Sequence, residues 1–540
     1  MNDFTPTEQQ REAINYVGSM VITACPGSGK TTVIKEKIRK TTLGLPDHKG
    51  VIAITFTQKA SKELESKCKY DAHDIKNSFF GTIDSFCLKE ILLPFLSRVW
   101  GGDPHGCQVI KRLENPYKQL LSNEYQSVTC DDIKNNDGFK RLYESGILWM
   151  NSFAGLALYV LNSSKSAQRY ILARYSHVFI DEYQDSSSAQ HQLFLKLLDL
   201  GLISTVVGDV WQSIYEFRGG NAKLLNDLVV DNEKFHHFEM NQNWRCHASI
   251  VNYASRLLSS KSPLIQCDQI KIFRRVLEGD QKNAASIISD WIADWLRENA
   301  WGVKKASDIA VLARKDSSLK LLSDGLSISH RVYSENRLDK INSDCSEFYS
   351  KVLAFRYGAT PTVQEFIDTH LSESMLKINS LASIRRKIKA FRHVANIELL
   401  IENLHELAFI LGVKVDENSD VAVREILQHS EFIKKYMPLD ENEIQVMTLH
   451  KSKGLEFKVV FHFDLEEWSF PFQQIENNDW DNPTFPNLEQ ETNLHYVGIT
   501  RAENCCILVR TELRQKANGD FCSSKPSYFL NLPQLEGLYE

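Results

Sequence analysis

The segment "ACPGSGKTT", residues 24–32, constrains the fold more than any other part of the sequence. It follows the apolar run "SMVITA" and precedes a segment with helical patterning, which is the strand–loop–helix setting of a phosphate-binding loop. Gly27 and Gly29 would let backbone N–H groups approach a phosphate closely, and the following helix N-terminus adds partial positive charge. A glycine-rich turn with an incidental lysine is the alternative, but the flanking strand and helix favour a nucleotide site.

Within this loop the residue types suit particular parts of a nucleotide. Lys30 would reach the β- and γ-phosphates, and Thr31 would ligate Mg²⁺. Ala24 stands where the usual pattern has its first glycine, which is a mild departure. The residues predicted to surround the phosphates are Ala24, Pro26, Gly27, Ser28, Gly29, Lys30, Thr31 and Thr32.

The segment "VFIDEYQD" supplies a pair of acids at the end of an apolar run. Asp181 would hold Mg²⁺, and Glu182 would polarise the attacking water. An acid pair at a strand end is often only a helix cap. Combined with the phosphate loop, the pair predicts nucleotide hydrolysis.

Strand-like and helical patterns alternate along much of the chain, which predicts α/β structure with parallel sheets covered by helices. Early apolar runs are "SMVITA", "GVIAIT" and "HVFI", and late ones are "DIAVLA", "IQVMTL", "KVVFHF" and "CCILVR". Two α/β domains are therefore expected. Residues 88–175 and 331–440 have mostly helical patterning, so both are interpreted as inserted helical subdomains.

Composition limits the class of protein without identifying it. The net charge of −6 does not indicate a nucleic-acid binder, although a local basic groove can lie on an acidic body. The 11 cysteines include no paired C-x-x-C motifs with zinc spacing. No apolar run approaches the length of a membrane span, and the N-terminus has no secretion signal. A cytoplasmic protein is expected.

Two arginines separate this chain from P-loop kinases and small GTPases. Arg245 lies in "MNQNWRCHASI", and Arg501 lies in "YVGITRAE" within the second α/β region. An arginine inserted from a facing domain stabilises charge on the transferring phosphoryl group. A lone arginine is usually a solvated surface residue, so each gains weight only from the other motifs.

Taken in order, these motifs resemble those of the UvrD/Rep-like superfamily 1 DNA helicases. The matching segments are "QQREAI", "ACPGSGKTT", "ITFTQKASKEL", "GTIDSF", "DEYQD", "GDVWQSIYEFRG", "NWRC", "VMTLHKSKGLEF" and "YVGITRAE". The resemblance implies ATP as the nucleotide and two RecA-like domains, and hence the division of the chain. Residues 1–87 and 176–270 would form the first, ATP-binding domain, with 88–175 inserted; 271–330 and 441–540 would form the second, with 331–440 inserted.

The resemblance also implies roles around ATP. Gln10 would read adenine, Trp244 would stack on it, and Lys37 would lie near the base. Glu456 would meet the ribose, and Gln212 would sense the γ-phosphate. Across the domain cleft, Arg245 and Arg501 would complete a catalytic set with Lys30, Asp181 and Glu182.

The resemblance also implies that the protein binds single-stranded DNA and moves along it in the 3′ to 5′ direction. Tyr215 and Phe217 alternate on one segment, so their rings could form one stacking platform for bases. The alternative is that both rings belong to the core. Further DNA contacts are implied for Thr55, Phe56, Thr82, Arg218 and His450. The family's duplex-gripping "RGIG"-like motif has no counterpart between Val332 and Asp440, so the resemblance does not extend to processive unwinding.

Among small members, the chain resembles the helicase-like subunits of Gabija anti-phage systems, through its compact insertions and "GTIDSFCLKEILLPF" with Asp84. That likeness implies a partner, an OLD-family nuclease, and a DNA strand or DNA end as the ligand sensed. The expected contact surface is "KEILLPFLSRVW", with Ile91, Leu92, Phe95 and Trp100; packing of this segment within the first domain is the equal alternative. A stand-alone repair helicase is the competing hypothesis for the whole chain.

Overall fold

The computed structural model of the protein describes residues 6–121, 124–214, 219–370, 378–476, 483–516 and 518–540. Its framework is a pair of six-stranded sheets in which every neighbouring pair of strands runs parallel. The predicted α/β class with two RecA-like parallel sheets is therefore confirmed. In the described ranges, no helix combines the length and the apolar character needed to cross a membrane.

The regular elements are numbered in chain order. The strands are β1 Met20–Ala24, β2 Gly50–Ile54, β3 Phe79–Gly81, β4 Gln108–Ile110, β5 Ile147–Trp149, β6 Tyr175–Ile180, β7 Ile203–Gly208, β8 His236–Met240, β9 Ile272–Leu277, β10 Ile309–Ala313, β11 His330–Tyr333, β12 Ile444–Thr448, β13 Phe457–His462, β14 Ala502–Thr511, β15 Leu513–Gln515 and β16 Phe521–Ser523. The helices are α1 Glu8–Asn15, α2 Lys30–Leu43, α3 Gln58–Lys69, α4 Ile83–Phe86, α5 Leu93–Trp100, α6 Cys130–Asn135, α7 Gly138–Glu144, α8 Phe153–Ser163, α9 Lys165–Arg174, α10 Ser188–Asp199, α11 Lys223–Val230, α12 Ala248–Leu258, α13 Gln281–Glu298, α14 Asp316–Gly325, α15 Arg337–Ile341, α16 Asp344–Tyr357, α17 Val363–His370, α18 Ile378–Ala390, α19 Ile397–Ile410, α20 Glu417–Gln428, α21 Ser430–Lys434 and α22 Leu488–Ile499.

The first sheet has the strand order β3-β2-β6-β7-β1-β8. Its inner strands are apolar along their length because helices cover both faces, and all five residues of β2 are buried. Strands β6, β7 and β1 are adjacent. Loops that follow neighbouring parallel strands meet at one edge of a sheet. The phosphate loop, the acid pair and the segment around Gln212 follow these three strands and so converge.

The first insertion, residues 88–175, shares one continuous apolar core with the first sheet. Ile91 and Leu92 are fully buried and Phe95 is 7% exposed, while Trp100 packs against Tyr143 and Tyr159. The prediction that these residues form a partner surface is wrong, because the helices around them already cover both sides of the segment. The insertion also contains β4 and β5, a short parallel pair that was not predicted.

The second sheet has the order β11-β12-β10-β13-β14-β9, and its strands coincide with the late apolar runs of the sequence. Helix α12 packs into the core of this sheet, where Ile250 and Tyr253 share a cluster with Ile272 and Cys506. We therefore propose that the division between the two domains lies before Ala248 rather than at residue 270.

The second insertion, residues 331–440, has an apolar core of its own, formed by side chains of α15 to α20. Arg331 fastens it to the second sheet. The guanidinium is 6% exposed, donates to the carboxylate of Glu443 at 2.9 Å, and donates to the carbonyls of Met437 and Pro438. This insertion is thus an independent packing unit, whereas the first is continuous with its sheet.

Candidate nucleotide site between the two sheets

The phosphate loop leaves β1 and enters α2 with the geometry that an anion requires. Gly27 and Gly29 both have positive φ, +69° and +84°. A Cβ at Gly27 would lie 2.6 Å from the Cβ of Arg245, so only glycine fits this close approach. The Nζ of Lys30 and the Oγ of Ser28 are buried and have no hydrogen-bond partner among the described residues. Buried polar groups of this kind are normally satisfied, so both are ready to bind an anion.

Gln10 packs directly on this loop. Its Nε2 donates to the carbonyl of Ser28 at 2.9 Å, and its Oε1 accepts from the backbone N–H of Thr7 at 3.0 Å. The residue caps α1 and supports the phosphate loop at the same time. Both ends of its amide are engaged within the protein, so reading adenine would require one of them to be shared.

The acid pair follows β6 at the adjacent strand end. Glu182 has a left-handed backbone, φ 54° and ψ 43°, a conformation that costs energy in a non-glycine residue and recurs at functional sites. Burial and the neighbouring Glu182 charge raise the pKa of Asp181. Burial also opposes ionisation of Glu182, but the charges of Lys30 and Lys453 outweigh it and lower the pKa of Glu182 below the usual range. The surrounding cations therefore favour the ionised form of Glu182, which a general base requires.

A buried hydrogen-bond chain connects the acid pair to Gln212. Gln184, which is fully buried, donates to the carboxylate of Glu182 and accepts from the backbone N–H of Asp209 at 3.0 Å. Asp209 in turn accepts from the Nε2 of Gln212 at 2.7 Å. Gln184 and Asp209 were not predicted as site residues, although both lie inside motifs that were recognised. Their position inside these motifs was the available signal.

The second sheet reaches this chain with Arg501. The side chain is 1% exposed; its Nε donates to the carbonyl of Val497 at 3.1 Å, and its Nη2 lies 3.5 Å from the Oε1 of Gln212. Burial, followed by the charge of Arg245, lowers the pKa of Arg501. The predicted cation thus lies beside the predicted γ-phosphate sensor, held there by backbone carbonyls of its own domain.

Arg245 and Glu456 form an ion pair across the cleft. Glu456 was predicted to meet the ribose, and Arg245 to act on phosphate, so the two expected ligand contacts are joined to each other here. Asn243, which sequence reasoning missed, shapes this turn: its Oδ1 accepts from the backbone N–H groups of Arg245 and Cys246, both at 2.8 Å.

Trp244 is exposed, whereas Lys37 is buried. The Trp244 ring is 59% exposed, and its backbone N–H donates to the carbonyl of Gly27 at 3.0 Å, which places it at the rim of the phosphate loop. Lys37 is 4% exposed, and its Nζ donates to the carbonyls of Ala13, at 3.0 Å, and Tyr16. The unpaired carbonyls at the end of α1 attract the ammonium group, so its predicted contact with the base is wrong.

The predicted DNA contacts are divided between described and undescribed residues. Tyr215, Phe217 and Arg218 lie outside the described residues. Phe56 is 43% exposed, whereas Thr55 is buried with its hydroxyl donating to the carbonyl of Thr57. Thr82 caps α4 by accepting from Ser85, and His450 is half-buried after β12. A cavity of about 370 Å³ lies against the first insertion, lined among others by Phe56, Asp84, Trp149 and Asp185.

Two family models match long parts of the chain. One, described as an AAA domain, matches residues 10–218, and the other, described as a UvrD-like helicase C-terminal domain, matches residues 357–512. The first range holds the phosphate loop and the acid pair, and the second holds Glu456 and Arg501. The chain is similar to the UvrD/Rep helicases, and its second part matches their C-terminal domain.

Curated relatives of this UvrD/Rep-type chain match nearly its whole length. Gabija protein GajB of Bacillus cereus (strain VD045) is 27% identical, over 93% of this chain and 94% of the relative. ATP-dependent DNA helicase Rep of Buchnera aphidicola subsp. Schizaphis graminum is 23% identical, over 97% and 96%. DNA helicase II of Haemophilus influenzae is 25% identical, over 94% and 84%. The family expected from the motif order is thereby confirmed.

Proposed function

We propose that the protein is a DNA-stimulated ATPase that moves along single-stranded DNA in the 3′ to 5′ direction. The supporting observation is the arrangement at the cleft. On one side lie the Asp181–Glu182 pair and the Lys30 ammonium, which has no hydrogen-bond partner within the described ranges. On the other side, Arg501 from the second sheet lies beside Gln212. Anion-binding and cationic groups on two separate sheets suit a phosphoryl transfer that depends on the distance between the sheets.

Each residue then has a task in ATP hydrolysis. Lys30 and the backbone of residues 24–32 hold the β- and γ-phosphates, and Trp244 covers the base. Thr31 and Asp181 would hold Mg²⁺, which neutralises phosphate charge when bound; the buried carboxyl oxygens of Asp181 suit such a hard cation. Glu182 orients the attacking water and accepts its proton. Arg245 leaves Glu456 for phosphate as Glu456 turns to the ribose, and Arg501 stabilises charge on the γ-phosphoryl group.

The test of this proposal is hydrolysis and directed motion by the purified chain. ATPase activity should rise when single-stranded oligonucleotides are added, and the protein should displace streptavidin from a biotinylated 5′ end much faster than from a 3′ end. ATPase activity that does not respond to single strands contradicts DNA stimulation, and faster displacement from 3′ ends contradicts the polarity.

We also propose that the chain acts beside an OLD-family nuclease in a Gabija-type defence complex. The support is the likeness to GajB over almost the full length of both chains. Co-expression with an OLD-family nuclease encoded next to it, followed by size-exclusion chromatography, should give one co-eluting complex. A chain that stays monomeric beside that nuclease, and unwinds duplex DNA unaided, would instead be a stand-alone repair helicase.

A further inference from the structure

Lys453 is a buried cation of the second sheet that no role described so far accounts for. It follows β12 in the segment "HKSKGLEF", three residues before Glu456. Its side chain is 9% exposed and crosses the cleft to the first sheet. There the Nζ donates to the Oδ2 of Asp185 at 2.7 Å and to the backbone carbonyl of Gln212, also at 2.7 Å.

The two acceptors belong to the two segments that would respond to the γ-phosphate. Asp185 closes the tight turn that begins at Glu182, since its N–H donates to the carbonyl of Glu182 at 3.0 Å. Gln212 ends the hydrogen-bond chain that runs from Glu182 through Gln184 and Asp209. One ammonium group therefore contacts both the turn that begins at Glu182 and the loop that carries Gln212.

The cost of burying charges makes the Lys453–Asp185 ion pair depend on a closed cleft. Asp185 is 1% exposed, and its Oδ1 has no hydrogen-bond partner among the described residues. Leaving either charge buried without the other is costly, whereas a well-formed buried pair offsets the loss of hydration. When the sheets separate, Lys453 withdraws and water must solvate both charges. The Glu182 turn then loses its only cross-cleft ion pair among the described residues.

We propose that Lys453 is a positioning residue that aligns Glu182 for hydrolysis only when the second sheet closes on the first. This inference rests on the ATPase function proposed above. In this proposal, the position of the Glu182 carboxylate depends on contact with the second domain, which also supplies Arg501. Binding of the phosphates is left to the first sheet.

The experiment is steady-state ATPase kinetics at saturating single-stranded DNA, with a double-mutant cycle. Lys453→Gln should lower kcat at least about tenfold while KM for ATP changes less than about threefold. Asp185→Asn should lower kcat by a similar factor, and the double variant should be no slower than either single one, because both remove the same interaction. Lys453→Arg keeps the charge and should recover part of the lost kcat.

Arg331→Gln is the matched control, because Arg331 is equally buried and ion-paired but lies within the second domain. It should lower the melting temperature and leave kcat close to that of the wild type. A Lys453→Gln variant that is only less heat-stable, with normal kcat, overturns the inference; so does additive loss in the double variant. If Lys453→Gln and Asp185→Asn both fail to fold, the pair is structural and the inference is wrong. A wild-type protein without ATPase activity would refute the proposed function itself.

Discussion

The two sheets have the same number of strands and the same parallel pairing, yet they face the nucleotide site with opposite ends. The first sheet contributes loops at the carboxyl ends of β1, β6 and β7. The second contributes Glu456 and Arg501, which immediately precede β13 and β14 and lie side by side because Phe457 pairs with Ala502. The carboxyl-end rule for ligand sites in parallel sheets therefore holds for the first sheet alone.

This difference suggests that the first sheet binds the nucleotide and that the second sheet accelerates its hydrolysis. Backbone N–H groups and a helix N-terminus at a carboxyl edge hold an anion before any movement occurs. Side chains at the amino edge of the other sheet lie at the site because the two halves are close here, as Arg501 and Gln212 show. Substitutions in the first sheet are expected to affect affinity or the water-activating step, and substitutions in the second to affect kcat.

The largest effect is expected for the arginines. Arg501→Ala and Arg245→Ala should each lower kcat by about 10³–10⁵, because such a cation acts mainly in the transition state. The Kd for ATP, measured by equilibrium binding, should change far less. A raised Kd with unchanged kcat would make these residues ground-state binders. For Arg501, the one of the two that belongs to the second sheet, that result would also contradict the distinction between the sheets. Circular dichroism of Arg501→Ala checks that the buried site still folds.

Glu182→Gln tests the proposed general base, which the first sheet contributes. The amide keeps the size of the side chain but cannot take a proton, so kcat should fall by about 10²–10⁴. ATP binding should be retained. Lys30→Ala is the comparison variant, since it should lose both turnover and much of the affinity. Normal DNA-stimulated turnover in Glu182→Gln would show that another group activates the water.

A smaller effect is expected at the rim of the phosphate loop. Trp244→Ala should weaken ATP binding by about 1–3 kcal/mol, the usual contribution of one aromatic ring stacked on a base. The kcat at saturating ATP should stay near that of the wild type, and Trp244→Phe should retain most of the affinity. Titration with ATP and with inorganic triphosphate separates the base contact from the phosphate contacts: only the ATP affinity should respond.

The smallest effect concerns stability, at a buried acid beyond the carboxyl end of β13. Burial, and then the charge of Asp464, raises the pKa of Glu466 well above its usual range. A carboxyl group whose pKa is raised by folding stabilises the folded state less as pH rises past its unfolded value of about 4.3. The contribution of Glu466 to stability should therefore decrease between about pH 5 and 8, and the melting temperature of Glu466→Gln should rise relative to that of the wild type over this range. Equal slopes for both proteins would contradict the assignment.

Sequence was sufficient for the parts of the site whose chemistry lies in contiguous motifs. The phosphate loop, the acid pair and Arg501 could be predicted because strand, loop and helix signals surround them. Gln184, Asn243 and Lys453 could not, since their roles depend on which distant segment each side chain faces. Lys37 was misplaced for the same reason: the carbonyl ends of α1 attract it more closely than the base site does.

The two insertions show a similar limit. Their helical character could be predicted from apolar periodicity. The same pattern could not show whether the apolar side chains of residues 89–100 face a partner or their own sheet. A helix covered on two sides has more apolar positions than one amphipathic face needs. That excess looks identical to a docking surface until the covering helices, here α8 and α9, are known. The three-residue strands β4 and β5 were too short to give an alternating pattern.

The passage between the two sheets has a mechanical consequence. In the described chain, all strands of the first sheet end at or before Met240 and all strands of the second follow α12, so residues 241–247 are the one covalent bridge between them. Trp244 is tied to Gly27 on one half, and His247, three residues on, is tied to Glu503 on the other. This bridge therefore has hydrogen bonds to both halves of the molecule. If a nucleotide contacts Trp244 and Arg245 as proposed, it contacts the segment that joins the two halves, and we expect occupancy of the site to be coupled to the angle between them.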